Sequence, residues 1–152
     1  MHISFICTGN ICRSPMAALV FREQVRRAGL DGQVKVSSAG TGPWHVGEPA
    51  DPRTAKVLAE HGYPTDHVAA QIDETHLGAD LLVAMDAGHL RAVRRMVDDP
   101  AKVRLLRSFD PDAADRAEVP DPYYGGPSGF DDVLEMVEAA MPGLLDWVRE
   151  RV

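Results

Sequence analysis

A cysteine and an arginine near the start of the chain have the types and the spacing that chemistry on a phosphate group requires. They belong to the segment Cys7-Thr8-Gly9-Asn10-Ile11-Cys12-Arg13-Ser14-Pro15. An apolar run at residues 3–6 precedes it and a helical pattern follows, so Cys7 is expected between a strand and a helix. Backbone N–H groups converge at a helix N-terminus, and the helix dipole favours negative charge there. Together with the planar donors of Arg13, they would hold a phosphate and stabilise the thiolate of Cys7.

The residues between Cys7 and Arg13 are suited to fold around an oxyanion, and we call residues 7–13 the phosphate loop. Gly9 and Asn10 tolerate left-handed backbone angles, which let successive N–H groups point inward. The hydroxyl of Ser14 can donate a hydrogen bond to the thiolate. A buried structural thiol is the ordinary role of a single cysteine, and the arginine six positions later favours a nucleophile instead.

Other anion and metal motifs fit this segment less well. No Gly-Lys-Ser/Thr follows the turn, as a nucleotide-binding loop would require. Two cysteines without a second cluster of ligands do not make a zinc site, and the six histidines are scattered along the chain. We therefore expect neither a metal nor a cofactor.

A leaving phenolate or alkoxide needs a proton donor, and Asp121 is the carboxylate that its context singles out. It lies in the segment Val119-Pro120-Asp121-Pro122-Tyr123-Tyr124-Gly125-Gly126. The prolines on either side stiffen the chain, and the two adjacent tyrosines offer rings that can line a slot. From this segment alone, an ordinary turn aspartate beside prolines remains an open interpretation.

The elements that must position these residues alternate between apolar strands and amphipathic helices. We predict strands at residues 2–6, 34–38, 81–85 and 103–106, and helices at residues 15–28, 51–60, 87–97 and from 133 to 148. Asp51 and Asp86 are suited as helix N-caps, and Pro142 should kink or split the last helix. The alternation predicts a single three-layer α/β domain over residues 1–152. It has a four-stranded parallel sheet, helices on both faces and the phosphate loop after the first strand.

Composition narrows the class of protein further. The chain has 152 residues, of which 45% are hydrophobic and 26% charged, as in a soluble domain with its own core. Its net charge of −7 argues against a nucleic-acid partner, and no apolar run approaches the roughly 20 residues that span a bilayer. The start shows no signal-peptide pattern, and two cysteines in one loop fit a reducing compartment. We expect a cytoplasmic protein that binds neither membranes nor nucleic acid.

Over nearly its full length the chain resembles the low-molecular-weight protein tyrosine phosphatases. The likeness rests on the early Cys-x5-Arg-Ser-Pro, the segment Ser37-Ser38-Ala39-Gly40-Thr41, Trp44 and the late Asp121-Pro122-Tyr123-Tyr124. An N-terminal phosphate loop is typical of this family, whereas the larger tyrosine phosphatases carry the loop late. The resemblance implies a monomer that hydrolyses phosphotyrosine in proteins through a phosphocysteine intermediate, and that also acts on aryl phosphates without a cofactor.

The resemblance also implies a role for each site residue. Cys7 would be the nucleophile, Arg13 part of the phosphate cradle, and Asp121 first the acid and then the base that activates water. The cradle would be completed by the amides of Thr8, Gly9, Asn10, Ile11, Cys12 and Arg13. Hydrogen bonds that steady the thiolate or hold the loop would come from Ser14, Asn10, Ser38 and His67. The walls of the substrate slot would be Trp44, Tyr123 and Tyr124.

Three other functions stay open at this point. Arsenate reduction on the same fold passes a disulfide to later cysteines, and this chain has none after Cys12. Protein-arginine phosphatases of the family carry threonine where Ile11 stands, so Ile11 favours phosphotyrosine. A phosphotyrosine-binding module would need neither a reactive thiol nor an acid.

Cys12 itself has two interpretations. It is either a small apolar residue that fills the loop, or a reserve thiol. A reserve thiol would condense with oxidised Cys7 and so prevent its irreversible oxidation.

Overall fold

A computed structural model describes residues 1–126 and 128–152. The helices and strands are β1 (His2–Cys7), α1 (Arg13–Arg27), β2 (Lys35–Gly40), α2 (Pro52–Glu60), α3 (Glu74–Leu77), β3 (Leu81–Ala84), α4 (Ala87–Arg94), β4 (Val103–Leu105) and α5 (Ser128–Arg149). Short 3-10 turns at Pro100–Lys102 and Leu106–Phe109 flank β4. The strands form one parallel sheet in the order β2-β1-β3-β4. The predicted α/β class with a four-stranded parallel sheet is therefore confirmed.

Helices cover both faces of this sheet. Side chains of β1 alternate between two hydrophobic clusters, as the two-residue period of a strand requires. Ile3 and Phe5 belong to the larger cluster, which includes residues of α1 and α5, whereas Ile6 packs with Val93 of α4 in the smaller one. Since both faces are covered, every residue of β3 is buried. The result is three layers with the carboxyl ends of the strands at one edge.

The predicted N-caps of two helices are present. The Asp51 side chain accepts a hydrogen bond from the Arg53 N–H at 2.8 Å, and Pro52 takes the first position of α2. The Asp86 side chain accepts from the His89 N–H at 2.9 Å at the start of α4. In both helices the side-chain oxygen of the N-cap residue accepts from a first-turn N–H that has no partner within the helix, which fixes the start of the helix.

The ends of several elements differ from the prediction by a few residues. Helix α1 begins at Arg13 rather than at residue 15, and α4 ends at Arg94 rather than at residue 97. Strand β2 runs to Gly40 because its ladder with β1 continues until Cys7 lies opposite Gly40. A side chain at Gly40 has no room there, since an added Cβ would lie 2.6 Å from the carbonyl oxygen of Thr8.

Of the two predicted effects of Pro142, a kink or a split of the last helix, the split does not occur. Helix α5 runs unbroken from Ser128 to Arg149 with Pro142 inside it. A proline removes one N–H and disturbs one turn, but the buried face of α5 includes apolar residues before and after it, such as Val137 and Leu144. The next residue, Gly143, lies so close to the Phe109 carbonyl that an added Cβ would be 2.0 Å from its oxygen.

None of the helices in the described parts of the chain combines the length and the apolar character needed to cross a lipid bilayer.

Candidate active site

The phosphate loop connects β1 to α1 at the carboxyl end of the sheet and forms the floor of a cavity of about 510 Å³. The residues that line this cavity are Cys7, Thr8, Gly9, Ile11, Cys12, Arg13, Trp44, His45, Asp121, Tyr123 and Tyr124. The fold thus brings together the predicted thiol, arginine, carboxylate and aromatic side chains, although they come from three distant segments.

The carbonyl groups of the phosphate loop are held on its outer side. The carbonyls of Cys7 and Thr8 accept hydrogen bonds from the N–H groups of Thr41 and Gly42 at 2.9 and 3.1 Å. The Ile11 carbonyl accepts from the N–H of Asp51 at 2.9 Å. With its acceptors turned outward, the loop keeps its N–H groups on the inner side, where they can bind an oxyanion.

Helix α1 leaves its first turn free for such a ligand. Its N-cap residue is Cys12, whose side chain makes no capping hydrogen bond, and no acidic residue lies in the first turn. The positive end of the helix therefore faces the cavity without competition from a side-chain oxygen.

Cys7 is only 3% exposed, and its Sγ lies 2.8 Å from the Oγ of Ser14. Asn10 Nδ2 donates to the same Ser14 Oγ at 2.8 Å and to Ser38 Oγ at 3.0 Å. Because Ser14 Oγ already accepts from Asn10, its own proton is available for the sulfur. The hydroxyl can thus stabilise a thiolate at Cys7.

Asn10 holds the loop in shape through its backbone as well as its side chain. It adopts the left-handed φ of 58°, which Gly9 does not. Its Oδ1 accepts from the Ala70 N–H at 3.0 Å, and its carbonyl lies 2.7 Å from His67 Nε2. A carbonyl can only accept, so His67 carries its proton on Nε2. Burial lowers the pKa of His67, although the bond to Asn10 opposes that shift.

A second histidine in the same part of the sequence, His61, lies away from the phosphate loop. Its Nδ1 is 2.9 Å from the carbonyl of Val57 at the end of α2. Of these two histidines, only His67 contacts the phosphate loop among the described residues.

Arg13 is 4% exposed and is anchored mainly by one amino group. Nη1 donates to Asp86 Oδ2 at 2.9 Å and to the Val119 carbonyl at 3.1 Å, while Nη2 donates to Thr8 Oγ1 at 3.4 Å. Burial opposes the ionisation of Asp86, but the hydrogen bonds from the His89 N–H and from Arg13, with the positive charge of Arg13, hold the pKa of Asp86 below its ordinary value. The sequence identified Asp86 only as a helix cap, yet it also forms the half-buried ion pair with Arg13.

Asp121 occupies the rim of the cavity in the acid loop, as we call residues 119–126. Its carboxylate is 43% exposed, and Oδ2 lies 3.8 Å from Arg13 Nη2. Its Oδ1 accepts from the Tyr123 N–H at 3.0 Å, which is the contact of an aspartate turn. The turn interpretation of Asp121 thus holds, and the same turn leaves the second carboxylate oxygen on the side of the arginine.

The aromatic walls of the cavity are exposed. Trp44 is 69% and Tyr124 89% exposed, and the rings of Tyr123 and Tyr124 meet edge to face at 4.9 Å. His45, which the sequence analysis missed, completes the rim. Its Nδ1 lies 2.6 Å from Glu48 Oε2, and an added Cβ on Gly9 would lie 2.9 Å from its ring.

Arg53 joins the acid loop to α2 and was also missed. Its guanidinium pairs with the carboxylate of Asp51, with Nη2 at 2.9 Å from Oδ2, and Nη1 donates to the Tyr123 carbonyl at 3.1 Å. It also lies 5.2 Å from the Tyr123 ring. The hydrogen bonds from Arg53 hold the pKa of Asp51 below its ordinary value, against the effect of burial. In the sequence, Arg53 is distinguished only by its position two residues after the predicted N-cap Asp51.

Cys12 is buried in the hydrophobic core beneath the loop. Burial, with a smaller contribution from the charge of Asp51, raises the pKa of Cys12 to about 12. Cys12 is therefore a thiol at neutral pH, which favours the packing interpretation.

These features define a class of protein: an α/β fold with an oxyanion loop at the end of its first strand and a buried thiol at the floor of that loop. Comparison with known proteins makes this class specific. Residues 2–152 match the family described as low molecular weight phosphotyrosine protein phosphatase. A low molecular weight protein-tyrosine-phosphatase of Streptomyces coelicolor is 60% identical over 156 residues, covering 99% of this chain and 95% of that one.

Two further proteins show the same likeness. Low molecular weight protein-tyrosine phosphatase A of Mycobacterium tuberculosis is 56% identical over 153 residues, which cover 100% of this chain and 94% of that protein. The crystal structure of a protein tyrosine phosphatase from Entamoeba histolytica superposes with a TM-score of 0.92 at 32% identity, covering 99% of this chain and 97% of that one. The chain belongs to the low molecular weight phosphotyrosine protein phosphatase family and is an enzyme of the protein-tyrosine-phosphatase class.

Proposed function

We propose that this protein hydrolyses phosphotyrosine in proteins through a phosphocysteine intermediate on Cys7. One observation carries the proposal: a single cavity joins the Cys7 thiol, the Arg13 guanidinium and the Asp121 carboxylate under aromatic walls. These are the nucleophile, the oxyanion binder and the proton donor that a phosphate monoester needs.

In the first step the Cys7 thiolate attacks phosphorus in line with the leaving oxygen. The S–P bond forms as the P–O bond to the tyrosine ring breaks. Arg13 and the inward N–H groups of the phosphate loop bind the non-bridging oxygens, whose charge they neutralise in the transition state. Asp121 starts as the carboxylic acid and gives its proton to the leaving phenolate.

In the second step the Asp121 carboxylate takes a proton from a water molecule. That water attacks phosphorus, and the S–P bond breaks. Ser14 donates its hydrogen bond to the sulfur, 2.8 Å away, as the thiolate reforms and becomes the leaving group. Inorganic phosphate then leaves the loop, and Asp121 again carries the proton for the next cycle.

Selectivity for tyrosine follows from the depth of the cavity. Cys7 is 3% exposed, whereas the walls formed by Trp44 and Tyr124 are open to solvent. A phenyl phosphate can reach the sulfur while its ring contacts these walls, but a phosphoserine is too short to do both. Hydrolysis rates on matched phosphotyrosine and phosphoserine peptides test this point, and comparable rates would refute it.

The same assay separates the alternatives. A peptide with phosphoarginine, tested beside the phosphotyrosine peptide, distinguishes the protein-arginine phosphatase, and Ile11 in the cavity wall leads us to expect a preference for phosphotyrosine. A single-turnover experiment on p-nitrophenyl phosphate distinguishes an enzyme from a binding module. We expect a burst of nitrophenol from the wild type and none from Cys7→Ser, and a burst from Cys7→Ser would overturn the mechanism.

We also propose that the protein acts in the cytoplasm as a monomer on phosphotyrosine-containing proteins. Both of its cysteines are free thiols, and a nucleophilic thiol depends on a reducing compartment. Sedimentation at micromolar concentration tests the monomer, and fractionation of cells tests the compartment.

A further inference from the structure

His89 on α4 lies directly beneath the phosphate loop, although no motif in the sequence involves it. It is 5% exposed, and its Nε2 is 2.8 Å from the hydroxyl oxygen of Thr8. Its Nδ1 lies 3.2 Å from Asp86 Oδ1. The ring therefore bridges the loop that binds the oxyanion and the carboxylate that holds Arg13.

The polar groups around Thr8 and His89 determine which of the two side chains donates in the hydrogen bond between them. Arg13 has donors only, so Thr8 Oγ1 accepts from Arg13 Nη2 at 3.4 Å. The hydroxyl oxygen of Thr8 could also accept from His89, so the direction of this contact is set by the other ring nitrogen. Because Nδ1 faces Asp86 Oδ1, which can only accept, a neutral ring carries its proton on Nδ1, and Nε2 accepts from Thr8. Nδ1 and Asp86 Oδ1 are 3.2 Å apart but do not form a hydrogen bond, so this contact is electrostatic. Arg13, Asp86, His89 and Thr8 thus form a closed ring of polar contacts.

The charges that face His89 favour this neutral state on balance. Burial lowers the pKa of His89 to about 4, and the positive charge of Arg13 lowers it too, against the carboxylates of Asp86, Asp121 and Glu118. A protonated ring would donate from Nε2 and so turn the hydroxyl proton of Thr8 away from His89.

These polar contacts occupy only some of the N–H donors of Arg13 and leave the others for a ligand. A guanidinium has five N–H donors. Nη1 uses its two on Asp86 and the Val119 carbonyl, and Nη2 uses one on Thr8. The Nε–H and the second Nη2–H remain, and they form a fork that matches two oxygens of a phosphate.

We propose that His89 is a positioning residue, which orients the guanidinium of Arg13 toward the oxyanion through the hydroxyl of Thr8. The inference rests on the proposed function of the phosphate loop. In this role His89 does not contact the substrate. The role also accounts for the burial of the polar His89 side chain between α4 and the phosphate loop.

The test uses the full-length protein and four variants. Thr8→Val removes the hydroxyl without changing the shape of the side chain, and His89→Ala removes the ring. We expect each to lower kcat/KM for p-nitrophenyl phosphate by about tenfold, the effect of one well-placed hydrogen bond. Inhibition by inorganic phosphate should weaken by a similar factor. The double variant should lose no more than either single one, because both act through one contact.

Rescue and a matched control complete the test. His89→Gln places an amide oxygen where Nε2 lies and should recover most of the activity that His89→Ala loses. His61→Ala removes a histidine whose only recorded partner among the described residues is a backbone carbonyl, and it should match the wild type.

Several outcomes would overturn the role of His89. They are wild-type kinetics for Thr8→Val, losses that multiply in the double variant, or a His89→Ala protein that melts earlier but binds phosphate normally. An active Cys7→Ser would instead refute the proposed function. A phosphotyrosine phosphatase that depends on Cys7 and tolerates Thr8→Val would refute the His89 inference alone.

Discussion

The two halves of the active site are built in opposite ways. In the phosphate loop Cys7 and Arg13 are buried, and the loop's carbonyls accept hydrogen bonds from other segments of the chain. In the acid loop the carboxylate of Asp121 is 43% and Tyr124 89% exposed. One of the hydrogen bonds that hold this loop to another segment runs from Arg53 to the Tyr123 carbonyl.

This contrast matches the tasks of the two loops. The phosphate group is the same in every substrate, so the loop that binds it can be preorganised by burial. The leaving group and its surrounding peptide vary, so the loop that contacts them can be open. Substitutions in the phosphate loop should therefore affect every substrate alike, and those around the acid loop should depend on the leaving group.

The largest effect is expected for Arg13→Lys. Lysine keeps the charge but cannot hold Asp86 and a phosphate at once with a planar fork. We expect kcat/KM to fall by on the order of 10³-fold, as when one oxyanion donor is removed. The loss should be equal for phosphotyrosine and p-nitrophenyl phosphate, as measured in steady-state assays. A loss confined to one substrate would contradict the comparison.

Asp121→Asn should act on the leaving group. Without its proton donor the enzyme should hydrolyse phosphotyrosine about 10²-fold to 10³-fold more slowly. Nitrophenol needs less help to leave, so p-nitrophenyl phosphate should be affected less. The pH–rate profile on the first substrate should also lose its basic limb. A profile that keeps this limb would assign the proton donor to another group.

Asn10→Ala should damage the shape of the phosphate loop. It removes the hydrogen bonds to Ser14, Ser38 and Ala70 and puts alanine at a φ of 58°. The strain and the lost bonds together should cost about 2–4 kcal/mol of stability. Urea unfolding measures this, and kcat should fall by about tenfold for all substrates. The control is Thr65→Ala, outside the loop.

Trp44→Ala should change affinity rather than turnover. The indole is exposed and contacts the substrate ring only in the proposed complex. We expect KM for a phosphotyrosine peptide to rise about threefold to tenfold with kcat nearly unchanged, since one aromatic contact is worth about 1 kcal/mol. Inhibition by inorganic phosphate, which has no ring, should stay the same.

The smallest effect tests the connection between the two loops. The N–H of Asp51 bonds to the Ile11 carbonyl, and its carboxylate holds Arg53, which reaches Tyr123. Because the pKa of Asp51 is lowered in the fold, its stabilisation is complete above the ordinary value of about 3.9 and is lost as pH falls through the lowered one. Asp51→Asn should therefore lower Tm at pH 7 by a few degrees and by less at pH 3. An equal loss at both pH values would assign the effect to the helix cap alone.

The parts of the site that the sequence could predict are those that lie close together in the chain. Cys7, Arg13 and Ser14 belong to one turn, so their spacing already defines an oxyanion loop. The strand pattern and the two helix caps likewise depend on neighbouring residues, and the structure confirms them.

The rest depends on contacts between distant segments. Asp86 caps α4 and His89 lies in its first turn, and no sequence pattern connects either of them to the phosphate loop, yet the fold brings them beneath Arg13 and Thr8. Helix α3 has four residues, too few for a helical period, although the capping box of Asp73 and His76 stabilises it. Pro142 does not split α5, because packing along the helix outweighs the loss of a single backbone bond.

Gly40 limits how the enzyme could be redesigned. A methyl group at this position would collide with the backbone of Thr8 rather than with a movable side chain. In a mutagenesis library aimed at bulkier substrates, nearly every member altered at this codon should be inactive. Useful diversity is therefore to be sought at the rim, among Trp44, His45 and Tyr124.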